Sequence, residues 1–260
     1  MRAEVLLEIG RYREAIPFLL TALSFVPGDT LLLCRLAFAF LKLHEWPEAM
    51  RFADEAVHSN PTDEQAHRLR CEIFLKTNEA AKAVNAAEEA VNCNPVGEQS
   101  LHALIKALLA DKQKQRAEEV AQRMRQSAPD SLWTHDGSAL SAMHLRRWED
   151  VQRHCHASLA INPEVYVTQN NLGMALMHLG RYAEAESRFR EAARLMPSDQ
   201  MLHQRILLAK NYQKVKEQQE EASSARAACL TVAAADLSSA DIASAKRRRR
   251  LIRSHERHDR

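Results

Sequence analysis

The stretch Asn170–Asp199, NNLGMALMHLGRYAEAESRFREAARLMPSD, decides the fold. Its apolar residues recur every three or four positions in two runs of about 14 residues, which indicates two amphipathic helices. Gly180 stands between the two runs, and Pro197 follows the second run, where its ring and missing N–H end the helix. The stretch therefore predicts a helical hairpin.

The prolines show that this hairpin is one of a series. Six of the eight prolines stand 34 residues apart, at Pro27, Pro61, Pro95, Pro129, Pro163 and Pro197. A period of this length is typical of stacked helical hairpins, in which each unit buries its apolar face only against its neighbours. We therefore expect an all-α solenoid of six 34-residue repeats.

Small residues form columns with the same period. The second helices carry Ala15, Ala49, Ala83, Ala117, Val151 and Ala185, and the first helices carry Ala3, Ala37, Cys71, Ile105, Ala139 and Gly173. Because a small side chain lets two helices approach closely, these columns indicate the contacts within and between pairs.

This pattern resembles the tetratricopeptide repeat, which has the same length and the same small, aromatic and proline positions. The residues that carry the resemblance in its best copy are Leu172, Gly173, Gly180, Tyr182, Ala185, Phe189, Ala192 and Pro197. The resemblance extends over residues 1–199, with a truncated first repeat. It implies a right-handed solenoid whose first helices line a concave groove that binds segments of partner proteins.

The remaining residues fall into two parts. In residues 200–223, Leu202, Ile206 and Leu207 follow first-helix spacing without a second helix, which predicts a C-terminal capping helix. Residues 224–260 are rich in Ala, Ser and basic residues, and we expect a disordered tail there. The last fifteen residues hold eight basic residues and two acidic ones.

No set of residues in the sequence indicates catalysis or a cofactor. The six glycines are scattered, so they form no phosphate-binding loop, and no hydrolase or metalloprotease motif occurs. His154, Cys155 and His156 are consecutive, and neighbours on a helix point about 100° apart, so they do not converge on one metal ion. We expect a protein that is not an enzyme and holds no cofactor or metal.

The resemblance also implies which side chains line the groove. The basic residues Lys42, Arg68, Lys76 and Lys106 outnumber Glu72 in its earlier half, and the later half is rich in methionine. The complete set is Leu31, Phe38, Leu41, Lys42, Arg68, Glu72, Lys76, His102, Lys106, Trp133, Met143, Val167, Asn170, Met174, Met177, Met201 and Leu208.

This set predicts a protein or peptide partner with acidic residues beside apolar anchors, because methionine side chains adapt to irregular surfaces. Each half also has a plainer interpretation. The methionine side chains can pack between repeats, and the lysine and arginine side chains can lie on the solvated surface.

The leading functional hypothesis is a non-catalytic scaffold or adaptor for protein interactions. One alternative is a detached repeat region of a larger enzyme, such as a transferase or hydrolase. Another is binding of nucleic acid, anionic lipid or an import receptor through the basic tail, although specific nucleic-acid recognition is disfavoured because the tail has no interleaved aromatic residues.

The location follows from two further features. No apolar run reaches the roughly 18 residues of a transmembrane helix, and the first residues are charged, so we expect a cytoplasmic protein without a membrane span. In a eukaryotic host the basic run from Lys246 to Arg250 would instead favour the nucleus.

The fifth repeat is predicted to be the least stable of the interior repeats. His135, Asp136, Gly137 and Ser138 place four weak helix formers in one turn of its first helix. On helix propensity alone, replacing Gly137 by Ala should stabilise the protein by about 0.5–1 kcal/mol.

Overall fold

The computed structural model describes the backbone of residues 2–255 and the side chains of residues 2–229, except residue 228. Over residues 2–255 it contains helices and no strand. The helices are α1 (Arg2–Glu8), α2 (Tyr12–Phe25), α3 (Thr30–Lys42), α4 (Trp46–Ser59), α5 (Glu64–Lys76), α6 (Ala80–Cys93), α7 (Glu98–Ala110), α8 (Lys114–Ser127), α9 (Leu132–His144), α10 (Trp148–Ile161), α11 (Tyr166–His178), α12 (Tyr182–Leu195) and α13 (Gln200–His255). The expected all-α solenoid of helical repeats is confirmed.

Within each pair, a left-handed residue ends the first helix. In repeat 2 this residue is His44, with φ of 63°, and the N–H of Glu45 bonds the carbonyl of Phe40 at 3.0 Å. This arrangement is a Schellman motif, in which a residue at positive φ lets the chain turn back. Gly10 and Gly180 occupy the same place in repeats 1 and 6, whereas Asn78, Lys112 and Arg146 adopt it in repeats 3 to 5 despite their side chains.

Between pairs, the periodic proline follows one residue after the end of the second helix. The next helix then begins after a capping residue, and the first two of these caps are aspartates. The Asp29 carboxylate accepts a hydrogen bond from the N–H of Leu32 at 2.9 Å, and Asp63 accepts one from Ala66 at 2.7 Å. Such caps satisfy backbone donors that a helix N-terminus leaves unpaired.

The core runs through the stack along the columns of small residues. In the second helices Ala15, Ala49, Ala83, Ala117, Val151 and Ala185 are all fully buried. Gly173 shows how close the helices approach, because a Cβ atom placed there would lie 2.5 Å from the ring of Phe189. The helix spacing in repeat 6 therefore leaves no room for a larger side chain at residue 173.

Helix α13 differs from the expectation. The sequence predicts a capping helix that ends near residue 223 and a disordered tail beyond it, whereas the structure continues one helix from Gln200 to His255. No Gly or Pro interrupts residues 200–255, and Ala, Lys and Arg favour helix, so nothing local ends it. Among the side chains of α13 that the structure describes, Leu202 and Ala209 near its start are buried against the stack, whereas residues 214–227 are exposed.

Candidate functional site

The first helices form one continuous layer of the solenoid. Helix α3 contacts α5, α5 contacts α7, α7 contacts α9, and α9 contacts α11, whereas each second helix packs between its own first helix and the next one. This layer carries the residues that the sequence assigns to the groove. Two cavities open in it, and they differ in chemistry.

The first, here called the cationic cavity, lies across three successive first helices, α5, α7 and α9. It has a volume of about 160 Å³ and combines Arg68, Lys106 and Glu72 with aromatic and apolar side chains. Its complete lining is Arg68, Cys71, Glu72, Leu75, Gln99, His102, Ala103, Lys106 and Trp133. The structure thus brings together two of the predicted basic residues with the one predicted acidic residue.

The charge of the cationic cavity comes from its Arg, Lys and Glu residues and not from its histidine. Burial, together with the nearby positive charge of Lys106, lowers the pKa of His102 to about 3. His102 is therefore neutral near pH 7 and packs against Trp133, with ring centroids 5.1 Å apart. Arg68 crosses from α5 to α7, where its guanidinium donates to the side-chain oxygen of Gln99.

The second, here called the methionine cavity, lies between α11, α12 and the start of α13. Its volume is about 390 Å³, and its lining is Met174, Met177, His178, Tyr182, Phe189, Arg205, Leu208 and Tyr212. The rings of Tyr182 and Tyr212 stack with centroids 5.3 Å apart. This surface is apolar and aromatic with one cation, and its two methionines can adapt to the shape of a ligand.

Asn170 lies beside the methionine cavity without lining it. Its side-chain oxygen accepts a hydrogen bond from the Arg205 guanidinium. Arg205 on α13 is therefore tied to α11 across the opening between these helices. The pair places a fixed positive charge at the edge of an apolar cavity.

The other predicted groove residues line neither cavity. Lys42 is exposed and lies over the ring of Phe38, with its Nζ 4.9 Å from the ring centroid. Lys76 is also exposed, and Met143 packs against the apolar cluster of the last repeats. The inclusion of Leu41 in the groove is wrong: its side chain is only 3% exposed, because it turns toward the core of the first repeats.

The predicted groove set lacks five residues of the methionine cavity: His178, Tyr182, Phe189, Arg205 and Tyr212. Tyr212 and Arg205 belong to the capping helix, and Tyr182 and Phe189 enter the sequence analysis only as residues that carry the family resemblance. The repeat register contained a signal for Tyr212, which lies 34 residues after His178, a member of the same cavity. No sequence signal indicated that Arg205 would bond Asn170.

Two further cavities are lined mainly by residues of second helices. One of about 920 Å³ lies between α2 and α4, and Leu20, Leu23, Leu33 and charged residues of α4 line it. Another of about 290 Å³ lies where repeats 4 and 5 meet, and its lining is Glu118, Arg125, Ser138, Ala142, Arg147, Asp150, Arg153 and His154.

The described residues contain no cluster suited to a metal ion, since no three His, Cys, Asp or Glu side chains among them converge. Burial raises the pKa of Cys34, Cys71 and Cys155 to about 12, so these thiols stay protonated and unreactive near pH 7. Within the described part of the chain, no helix is both long and apolar enough to cross a membrane.

Comparison with family models identifies the repeats. Two models described as "Tetratricopeptide repeat" match residues 6–73 and 167–199. The chain is a tetratricopeptide repeat protein. A third model, "Bacterial transcriptional activator domain", matches residues 42–146. No curated protein matches the sequence.

Solved structures share the fold of this tetratricopeptide repeat protein at low sequence identity. A chain in the crystal structure of the APC/C hetero-tetramer Cut9–Hcn1 aligns with a TM-score of 0.73 and 16% identity, over 82% of this chain and 42% of that one. A thermophilic TPR protein of Thermus thermophilus aligns with a TM-score of 0.62 and 19% identity, over 70% of this chain and 98% of that one.

A tetratricopeptide repeat protein of Parabacteroides merdae aligns with a TM-score of 0.57 and 13% identity, over 80% of this chain and 96% of that one. At these identities the likeness establishes the fold and nothing finer. The present chain spans less than half of the first of these relatives and nearly all of the other two.

Proposed function

We propose that this protein is a non-catalytic interaction module, a scaffold or adaptor that holds a segment of a partner protein along its first-helix layer. The observation that carries the proposal is the pair of cavities of different chemistry on this layer. The cationic cavity offers Arg68 and Lys106, and the methionine cavity offers an adaptable apolar surface. A site lined by a few polar groups and many apolar ones is typical of ligand recognition.

The two cavities define the chemistry of the partner. An acidic side chain suits the excess positive charge of the first cavity, and a bulky apolar side chain suits the second. The cationic cavity centres on α7, and the methionine cavity lies between α11 and α13. With neighbouring first helices packed about 8–10 Å apart, the two sites are separated by about 20–25 Å, which about seven extended residues span.

The proposal can be tested with the full chain and a random 12-residue peptide library displayed on phage. We expect selected peptides to carry an acidic residue and, about seven positions away, an aromatic or large aliphatic one. The best peptide is then synthesised, and its affinity is measured by fluorescence anisotropy against the wild type and two groove variants.

The two groove variants separate the contribution of charge to peptide affinity from that of apolar contact. The double variant R68E/K106E should lose affinity most at low salt, since exposed charges are screened over about 8–10 Å at 0.1–0.15 M ionic strength. The double variant M174S/M177S should lose it equally at all salt concentrations. A matched control, K112E, changes an exposed lysine in a turn outside both cavities. Selection without a consensus, or a peptide whose affinity neither variant alters, would reject the groove.

The match to a bacterial transcriptional activator domain favours a second candidate, a module of a transcription regulator. In that role the basic run from Lys246 to Arg250, whose side chains lie outside the described residues, would add salt-sensitive binding to DNA. Electrophoretic mobility shifts of random-sequence duplex DNA by the full chain and by a variant lacking residues 246–260 test this candidate. The candidate requires that the deletion abolish the shift.

The same proposal suggests where in the cell the protein acts and what role it would have within a longer protein. A module of this kind acts in the cytoplasm, or in the nucleus if the basic run is read by an import receptor. It also serves as the repeat region of a larger enzyme if it recruits that enzyme's substrate protein. Imaging of the full chain with and without residues 246–260 distinguishes the two locations.

A further inference from the structure

One junction of the solenoid has polar side chains at repeat positions that are apolar in the junction before it. Where repeats 4 and 5 meet, the polar residues are Glu118, Arg125, Ser138 and His154, and the residues 34 positions earlier are Val84, Val91, Leu104 and Val120. The junction of repeats 1 and 2 is apolar at all four places too, with Ile16, Leu23, Leu36 and Phe52. Polar and charged groups are costly to bury, so such an exception in a regular core indicates a functional site.

A small side chain opens space at the same junction. Ala142 on α9 stands where the five other repeats have Leu or Phe, namely Leu6, Phe40, Phe74, Leu108 and Leu176. Ala142 is buried, and it lines the cavity of about 290 Å³ between α8, α9 and α10, here called the junction cavity. Protein interiors are close-packed with few voids, and a Leu or Phe side chain at residue 142 would reach into this one. The small residue therefore keeps the junction cavity open.

The charged groups of the junction cavity leave it with one net positive charge. Its charged lining is Arg125, Arg147 and Arg153 with the carboxylates of Glu118 and Asp150. His154 adds no charge near pH 7, because burial and the nearby positive charges, that of Arg153 first, lower its pKa to about 4. Its neutral ring can still donate or accept a hydrogen bond. The cavity is therefore suited to an anion.

The two carboxylates hold the guanidiniums in place without using all of their N–H groups. Asp150 accepts a hydrogen bond from Nη2 of Arg153 at 2.6 Å and lies 3.7 Å from Nε of Arg147. Glu118 lies 2.8 Å from Nη2 of Arg147. Within the described part of the chain, no acceptor bonds Nε or Nη1 of Arg153 or Nη1 of Arg147. These side chains are 69% and 45% exposed, so a ligand can reach their free donors from solvent.

We propose that the junction cavity binds the phosphate group of a small molecule. The oxygens of a phosphate accept hydrogen bonds from more than one guanidinium, and its negative charge balances the excess positive charge of the cavity. Pockets for drug-sized ligands begin at about 300 Å³, so the ligand is small, either inorganic phosphate or a short phosphate monoester. This site is separate from the groove of the first helices.

The experiment titrates inorganic phosphate into the full chain by isothermal titration calorimetry at pH 7. Sodium chloride keeps the ionic strength constant, so that weak binding to the exposed charges of the chain is screened. We expect saturable binding with a dissociation constant below about 1 mM. The absence of saturable binding at about ten times that concentration rejects the site.

The variant R153Q removes one guanidinium of the junction cavity. It should raise the dissociation constant for phosphate at least about fivefold, because a charge-assisted hydrogen bond is lost. The matched control is R194Q on α12. Arg194 pairs with Glu191 three residues before it at 2.7 Å, as Arg153 pairs with Asp150, but it lies outside the cavity. R194Q should bind phosphate like the wild type.

The variant A142L tests the volume of the cavity without changing a charge. It restores the residue that repeats 4 and 6 have at this position, and its side chain should fill the space that phosphate would occupy. Phosphate binding should be lost. Circular dichroism checks that the three variants fold, and if A142L does not, the comparison of R153Q with R194Q decides alone.

A second titration, with glycerol phosphate, distinguishes the two kinds of ligand. Tighter binding than that of inorganic phosphate identifies a monoester, and weaker binding identifies inorganic phosphate, provided that R153Q weakens both. Equal affinities in the wild type, R153Q and R194Q overturn the proposal, because phosphate then binds elsewhere, such as at the basic run from Lys246 to Arg250. That result would leave the proposed groove function standing.

Discussion

The junction between repeats 1 and 2 is packed with apolar side chains, whereas hydrogen bonds and ion pairs hold the junction between repeats 4 and 5. In the first, Ala15 and Leu19 of α2 meet Leu33, Leu36 and Ala37 of α3, and all five are buried. The second centres on one carboxylate, that of Glu118 on α8, which bonds side chains of three elements.

The contacts of Glu118 show how the polar junction is made. Its carboxylate accepts hydrogen bonds from Ser141 at 2.6 Å and Arg125 at 2.9 Å, and Arg147 approaches to 2.8 Å. Burial by itself raises the pKa of Glu118, but the bonds from Ser141, Arg147 and Arg125 outweigh it, and the pKa is lowered overall. Arg125 also donates to Ser138, which is buried where repeats 2, 4 and 6 have Leu36, Leu104 and Leu172.

The comparison teaches that one helix geometry can be held by two kinds of interaction. Apolar packing is non-directional and insensitive to pH, so the first junction tolerates small shifts. A hydrogen-bonded junction depends on every partner being present, because a buried polar group without one costs about 1–3 kcal/mol. The two junctions should therefore respond differently to substitution and to acid.

The largest expected effect comes from removing the centre of the polar junction. Glu118→Ala should lower the free energy of unfolding by about 2–3 kcal/mol, because Arg125 and Ser141 lose their acceptor inside the protein. The control Glu119→Ala, on the exposed side of the same helix, should change it by less than about 0.5 kcal/mol. Urea denaturation followed by circular dichroism measures the free energy of unfolding of both variants. Equal losses in the two variants would show that the contacts of Glu118 do not stabilise the protein.

The next prediction compares two glycines, one that packs against its own repeat and one that packs against the preceding repeat. Gly173→Ala should cost about 1–3 kcal/mol, since its Cβ would lie 2.5 Å from the buried Phe189 ring of its own pair. Gly137→Ala meets Ile105 of the preceding repeat at 2.9 Å, which offsets the gain in helix propensity that the sequence predicts. We expect no net stabilisation there. If thermal unfolding shows that Gly137→Ala is stabilising, the prediction made from helix propensity alone is correct.

Acid should weaken the junction of repeats 4 and 5 first. Burial lowers the pKa of His102 to about 3 and that of His154 to about 4, while in the unfolded chain both titrate near 6.5. The unfolded state thus binds more protons, so stability is complete above pH 6.5 and falls as the pH drops toward 3. The slope is at most about 1.4 kcal/mol per pH unit for each histidine.

This prediction is checked with the variant His102→Gln. Between pH 7 and pH 4, its free energy of unfolding should fall less steeply than that of the wild type. The matched control is His58→Gln, which removes an exposed histidine of the apolar region. Equal slopes in the wild type and in His102→Gln would show that this histidine does not cause the acid sensitivity.

The smallest effect tests a turn that occurs within repeat 2 and within repeat 4. His44 in repeat 2 and Lys112 in repeat 4 sit at φ of 63°, a conformation that costs an L-residue about 1–2 kcal/mol. Replacing either by Gly should stabilise by about 0.5–1 kcal/mol, after the greater entropy of Gly in the unfolded chain is deducted. The gain should be smaller at His44, because its ring also packs edge-on against Trp46 with centroids 5.1 Å apart, and Gly removes that contact. A melting temperature that rises more for His44→Gly than for Lys112→Gly would contradict this.

The repeat architecture could be predicted because it depends on local rules. The 34-residue proline spacing, the helical spacing of apolar residues and the columns of small residues each specify helix pairs, and the structure has them where the columns place them. The groove itself stays a prediction. Arg68 and Lys106 meet in one cavity and Met174 and Met177 in another, whereas Leu41 belongs to the core.

The sequence by itself determined the period, the ends of the pairs and the family, because prolines, helix propensity and side-chain volume act within a few residues of one another. Only the tertiary structure decided that Ser138 and Ser141 meet Glu118, that Gly137 faces Ile105, and that Arg125 shares a cavity with Arg147 and Arg153. These properties depend on which neighbour covers a side chain, and that neighbour stands in another repeat, so position within the repeat alone cannot specify it.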